Sequence, residues 1–193
     1  MNPKAPQQAL GGPVLDLHSD EHFMDEALRQ ARRAHAAREV PVGAVIVRAG
    51  RVVARAFNQV ELLKDATAHA EMLAITQAAA VVGDWRLTDC TLYVTKEPCP
   101  MCAGAIVHAR LARVVFGVSD PKAGAAGSAL NLLQWSALNH RCAITAGVRE
   151  AECRALLRGF FADQRRQARR PAGGAEQDNP GQDAASGPSP QAD

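Results

Sequence analysis

Residues 91–110 read TLYVTKEPCPMCAGAIVHAR. The opening TLYVT is a short apolar, β-branched run and predicts a buried strand. Pro100, whose missing N–H is not needed at a first helical position, opens a predicted helix from Pro100 to about Arg110. Strand passes into helix across Glu97, Pro98 and Cys99, so Cys99 and Cys102 stand at the junction. The N–H groups of a helix start favour negative charge, and both thiols there are set to deprotonate and act as ligands. A C-x-x-C pair alone leaves three readings open: a redox couple, half of a structural zinc knot, or part of a catalytic metal site.

Outward from this stretch, helix and strand patterns alternate. Ser19 and Asp20 offer N-cap oxygens to a helix running to about Arg38, with Phe23, Ala27, Leu28, Ala31 and Ala34 along one side. GAVIVRAGRVVARAF, Gly43 to Phe57, reads as two strands joined by a tight turn at Ala49-Gly50. An alanine-rich helix from about Ala68 to Val82 closes at Gly83. RVVFGV, Arg113 to Val118, is a further strand. A short helical piece near Leu130 to Trp135, a weak strand near Ala143 to Thr145 and a long helix from about Glu150 to Arg170 complete the pattern. The alternation predicts an α/β fold whose central sheet is covered on both faces. The opening pair is expected to be antiparallel, and later strands, separated by helices, parallel.

A chain of 193 residues is one domain's length, long enough for a core without disulfides. Aromatics are only 4%, so that core must be built from Ala, Val, Leu and Ile. Five cysteines, an odd number without framework spacing, suit a reducing cytoplasm rather than secretion. No apolar run approaches the roughly 18 residues of a membrane span. The start, MNPKAPQQALGGPVLDLHSD, lacks the continuous apolar stretch of a signal peptide. The expected organisation is a loose or disordered extension over 1–19, a folded domain over 20–166, and a disordered, acidic, Pro/Gly-rich tail over 167–193. From Pro171 onward there is no Val, Ile, Leu, Met or aromatic residue to offset the entropy of ordering. That tail holds four acids and no Lys or Arg, so the folded part is more basic than the net charge of +2 suggests. The balance is compatible with a polyanionic partner.

The partner for the cysteines lies upstream in DATAHAEM, Asp65 to Met72. His69 and Glu71 stand at the start of the second helix, again where a turn leads into a helix. Two helix N-termini side by side can present His69, Cys99 and Cys102 to one tetrahedral ion. Structural zinc is normally closed by four protein ligands, whereas catalytic zinc keeps three and a water. The count favours catalysis. Glu71 is then placed to take a proton from a water acidified by the metal and to deliver it elsewhere. On a regular helix an i, i+2 spacing would separate His69 from Glu71, so Glu71 is expected to bend back from the first turn.

H-A-E followed by P-C-P-M-C is the signature of zinc-dependent nucleobase deaminases. With EVPVGAVIV, TAHAEM, LYVTKEPCPMCAGAIVHAR and RVVFGVSDPKAGAAGS, the chain from about Glu21 to Arg166 resembles the bacterial tRNA-specific adenosine deaminases. The resemblance implies a cytidine deaminase-like three-layer α/β/α sandwich around a mixed sheet of about five strands. It implies a homodimer with one Zn2+ per subunit, and hydrolysis of adenosine to inosine at the wobble position of a tRNA anticodon stem-loop. By the same likeness His69, Cys99 and Cys102 are the zinc ligands and Glu71 the proton shuttle. Asn58, in RAFNQV, would hydrogen-bond the target nucleoside, and Asp120, in GVSDPKAG, would contact the RNA beside it. The chain departs from the family in having Ala66 where proline is frequent, and in its extensions at both ends.

RNA contact is expected from RGFFADQRRQARR near the C-terminus, where Arg158, Arg165, Arg166, Arg169 and Arg170 accompany Phe160 and Phe161. Phe161 and Arg165 are the chosen contacts; one phenylalanine of the pair is expected in the core and the other outside. A solvated, dipole-complementing helix end is the alternative reading of the arginines. Cys90, Cys142 and Cys153 are expected to be small buried hydrophobes. Three other functions compete: a free cytidine or guanine deaminase with the same metal site, an RNA-binding subunit that keeps zinc for stability, and a thioredoxin-like redox protein.

Overall fold

The computed structural model describes residues 18–169, so the disorder expected of 1–17 and 170–193, Arg170 included, lies outside the described residues. The elements run α1 (Asp20–Ala36), β1 (Gly43–Arg48), β2 (Arg51–Phe57), α2 (Val60–Leu63), α3 (Ala70–Val82), β3 (Cys90–Lys96), α4 (Pro100–His108) and β4 (Arg113–Val118). A 3-10 turn (Leu132–Gln134), β5 (Ala143–Ala146) and α5 (Glu150–Ala168) follow. Both outer helices end where their signals predict: Ser19 caps α1, its hydroxyl accepting from the His22 N–H, and α5 runs to Ala168, each just past the 20–166 bounds drawn for the domain.

The sheet is mixed, in the order β2-β1-β3-β4-β5. β1 and β2 are antiparallel through the turn at Ala49 and Gly50, both at positive φ, while β3, β4 and β5 pair in parallel. The expectation of parallel pairing after each helix fails once, because β1 and β3 are antiparallel neighbours. The chain leaving β2 crosses by α3 and adds β3 to the free edge of β1. β3 thus runs in the direction of β2, which opposes β1.

Strand alternation divides the core into two layers. Ala44, Ile46, Leu92, Val94, Val114 and Phe116 pack with Ala70, Ala74, Ala103 and Ile106 of α3 and α4. Val45, Val47, Tyr93 and Val115 pack with Phe23, Ala27 and Leu28 of α1 and Cys153 and Leu157 of α5. This is a three-layer sandwich. Small residues set its spacing: a Cβ added to Gly43 would stand 2.1 Å from the Ala27 carbonyl oxygen, so β1 accepts only glycine where α1 crosses it. Arg113 of β4 grips the Asp20 carboxylate with two N–H groups (2.9 and 2.6 Å), Tyr93 O–H donates to the same carboxylate at 2.9 Å, and Arg113 also reaches Thr145 of β5. This cluster fastens the start of α1 to three strands.

Since β2, β3 and β4 share one direction, their C-terminal ends lie on one edge of the sheet. Asn58, Cys99 and Asp120 follow those three ends, and Glu39 to Val42 lead into β1 at the same edge. Open α/β sheets bind ligands outside the carboxyl ends of their strands.

Candidate active site

His69 is the N-cap of α3 and Cys99 the N-cap of α4, both with extended backbone (φ −70°, ψ 151° and φ −73°, ψ 171°). Neither side chain caps its own helix. Instead they face each other: the Cys99 Sγ lies 3.7 Å and the Cys102 Sγ 3.4 Å from His69 Nδ1. All three donor atoms lie within 4.8 Å of one another. Donors bonded to one tetrahedral ion at metal–sulfur distances near 2.3 Å and metal–nitrogen distances near 2.0 Å would stand roughly 3.5–3.8 Å apart. The observed sulfur–nitrogen distances match that spacing. The loop into His69 is set by Asp65, whose carboxylate accepts from the Thr67 N–H and O–H at 2.8 Å each, beside Ala66.

The protonation of the cluster shows what it lacks charge for. Cys99 is held down to about 3, chiefly by the S–H of Cys102 and next by the imidazole, against burial. Cys102 is pushed up by donating to Cys99 and by its burial. Two thiolates side by side repel, and a bound cation would offset that repulsion and favour both as ligands. His69 is raised by its hydrogen bond to Cys99, against burial.

Glu71 lies 4% exposed in the first turn of α3. Burial pushes its carboxyl up, opposed by its own backbone N–H and by His69. The spacing problem posed by the sequence disappears, because His69 is extended rather than helical and only Glu71 belongs to the helix. Both line a cavity of about 620 Å3, with Cys99, Asn58, Lys96 and Phe161 among its other walls. That volume is within the range of small-ligand sites.

Asn58, 6% exposed, lines this cavity. Phe160 is buried, whereas Phe161 is 45% exposed and forms part of both this cavity and a second groove of about 640 Å3 along α5. Arg165 lines the second groove together with Arg154 and Arg158. Asp120 is not in the cavity wall. Its carboxylate pairs with Lys96 Nζ at 2.5 Å and accepts from the Lys122 and Ala123 N–H groups. It therefore stands one ion pair away from the site. Cys90, Cys142 and Cys153 are buried, and all five cysteines are free.

Sequence reasoning passed over three residues. Lys96 lines the cavity and holds Asp120. Glu97, 2% exposed, accepts from the N–H groups of Asp120 (2.8 Å), Ala126 (3.0 Å) and Ser128 (3.0 Å), and from the Ser128 hydroxyl. These donors outweigh its burial and lower its pKa. A Cβ on Gly124 would stand 2.3 Å from the same carboxylate, so the 120–128 loop wraps a charged post immediately before Cys99. Glu39 is also buried, bonded to Asn58 and Leu62. The available signal was an acid inside an apolar run, as in REVPVGAV and VTKEPC.

The chain matches the MafB19-like deaminase family over residues 18–165. It is 48% identical over 150 residues to the tRNA-specific adenosine deaminase of Bacillus subtilis, covering 78% of this chain and 93% of the relative. Among solved structures it superposes with TM-score 0.68 and 44% identity on one from a study of A-to-I editing by tRNA deaminases at the wobble position of transfer RNA, over 70% of this chain and 99% of that one. It also resembles the guanine deaminase of Bacillus subtilis, at 42% identity and TM-score 0.51, over 56% and 69% of the two chains. The three-layer fold, the convergence of His69, Glu71 and the two cysteines, and these likenesses agree: the chain belongs to the MafB19-like deaminases, in the group of tRNA-specific adenosine deaminases.

Proposed function

We propose that the protein converts adenosine to inosine at the wobble position of a tRNA anticodon, using one zinc ion per subunit held by His69, Cys99 and Cys102. The observation that carries this reading is the meeting of those three donors at two helix starts, with a buried carboxyl in the same cavity. When bound, zinc supplies a nucleophile at neutral pH by acidifying water. Glu71 takes the proton that water gives up and hands it to N1 of adenine; a second transfer goes to the leaving amino nitrogen. In the balance the C6–N bond breaks and a C6–O bond forms. Of the water's two protons one ends on N1 and the other on ammonia. Burial pushes the Glu71 carboxyl up, which helps it hold the proton between uptake from water and delivery to the base. General acid–base work of this kind contributes about 10²–10⁴ in rate.

The base must leave its stack to reach the cavity, at a cost of a few kcal/mol that a single-stranded loop reduces. Asn58 bonds the base from the end of β2. Phe161, at the junction of cavity and groove, stacks on a neighbouring base, and Arg158 and Arg165 take phosphates. Among the described residues these two arginines have no acid partner, whereas Arg154 pairs with Glu150 and Arg166 with Asp163.

The working form is a homodimer. Ile75, Ala79, Trp85, Ala105 and Ala109, with Thr76 and His108, line an open, mainly apolar cavity at α3 and α4, and Val81 and Trp85 are largely exposed. An apolar face of this kind calls for cover. Five free cysteines suit the cytoplasm, and among the described residues no helix is long and apolar enough to cross a membrane.

The test is inosine formation in an anticodon stem-loop with adenosine at the wobble position, beside ammonia release from free guanine and cytidine. The reading expects turnover of the stem-loop alone. Turnover confined to a free base would replace it with a base deaminase, the function that the guanine deaminase likeness favours.

A further inference from the structure

Three glutamates are buried among the described residues, and two are accounted for: Glu71 by the donor cluster, Glu97 by the loop it anchors. The third, Glu39, is 1% exposed and lines the cavity without a cationic partner among the described residues. Its two carboxylate oxygens are divided. Oε2 accepts from Asn58 Nδ2 at 3.1 Å, and Oε1 accepts from the Leu62 backbone N–H at 2.7 Å.

We infer that Glu39 is a positioning residue that fixes the Asn58 amide for adenine and holds α2 as a wall of the base pocket. This rests on adenosine being the substrate. Both Glu39 oxygens act as acceptors here, and the Asn58 amide turns its nitrogen toward Glu39. The Asn58 oxygen and its second N–H then remain for a ligand, an acceptor and a donor side by side. Adenine presents a matching edge, with N7 accepting and N6 donating; guanine presents two acceptors there, N7 and O6. Were the amide free to rotate, that preference would be blurred. The bond to Leu62 adds a second restraint, because α2 is only one turn long and carries Val60 and Glu61 at the cavity wall.

Glu39→Gln conserves shape while allowing the partner amide to flip, since a glutamine both donates and accepts. The zinc-loaded dimer and this variant are compared on stem-loops carrying adenosine or 7-deazaadenosine at the target position. The wild type is expected to prefer adenosine by about 10–100-fold, the effect of leaving a site's polar group unpaired. The variant should lose about tenfold or more in kcat/KM on adenosine, as small misplacements do, and its preference over the deaza substrate should fall toward none. Equal losses on both substrates would mark a merely structural residue and overturn the inference, as would wild-type kinetics in the variant. If the wild type forms no inosine, the substrate reading fails instead. The clamp is then judged by the side-chain amide resonances of Asn58 and by hydrogen exchange at the Leu62 N–H. Both should change in Glu39→Gln, and unchanged signals would overturn it.

Discussion

α1 and the pair α3 and α4 begin in opposite ways. The N-cap of α1, Ser19, gives its side chain to the helix, and Asp20 behind it is gripped by Arg113 and Tyr93. The N-caps of α3 and α4, His69 and Cys99, give their helices only a backbone carbonyl, and their side chains turn toward each other. An uncapped helix start forgoes about 0.5–2 kcal/mol. The fold thus secures its first helix with a local cap and long-range bonds to the sheet, and leaves two later helices without a side-chain cap where the chemistry is proposed. Residues at a helix start have non-helical backbone and free side chains, and the same positions that could stabilise can hold an ion instead.

The contrast can be broken most severely at the donors. Cys102→Ala should reduce zinc from one equivalent per subunit toward none, abolish deamination and lower the melting temperature; metal analysis and calorimetry would show it. A strong chelator should have the same effect on the wild type, and restored activity on adding zinc would complete the comparison. Next in size, Arg158→Ala with Arg165→Ala should weaken stem-loop binding about tenfold or more and reduce the slope of log affinity against log salt by about 1–2. Replacing only Arg166, already paired with Asp163, should do less.

Smaller effects belong to α1. Ser19→Ala should cost about 1 kcal/mol of stability in denaturant titration, with turnover per folded molecule unchanged. Asp20 adds a pH dependence. Burial raises its pKa, but the hydrogen bonds from Arg113 and Tyr93 outweigh this and leave it lowered. Its contribution is therefore present above the unfolded carboxyl value of about 3.9 and is lost as pH falls through the folded one. The stability difference between wild type and Asp20→Asn should be seen at neutral pH and shrink below about pH 4.

The same contrast explains what the sequence made legible. Helix starts carry compact signals: serine before an acidic first turn, proline after Cys99, His69 and Glu71 in one short run. Strands with apolar alternation were equally clear, and β4 is found at Arg113–Val118 as predicted. α2 was missed because VELL is one turn long and has no cap. The antiparallel β1–β3 pairing was missed because local pattern does not say which sheet edge an incoming strand will join. The roles of Glu39, Lys96 and Glu97 are hard to read for a related reason, although the two acids sit beside apolar runs. Each looks like a solvated charge beside a strand until a segment 19 to 31 residues away closes over it. Asn58 was named only through the family likeness, and the structure adds the carboxylate that orients it.

The central claim is that His69, Cys99 and Cys102 bind the ion while Glu71 moves the protons, two separable tasks in one cavity. Its most direct test is Glu71→Ala assayed together for zinc content and for inosine formation in the stem-loop. The account predicts one zinc per subunit and a rate reduced by about 10²–10⁴ or more. A variant that keeps its zinc and deaminates at the wild-type rate would contradict it.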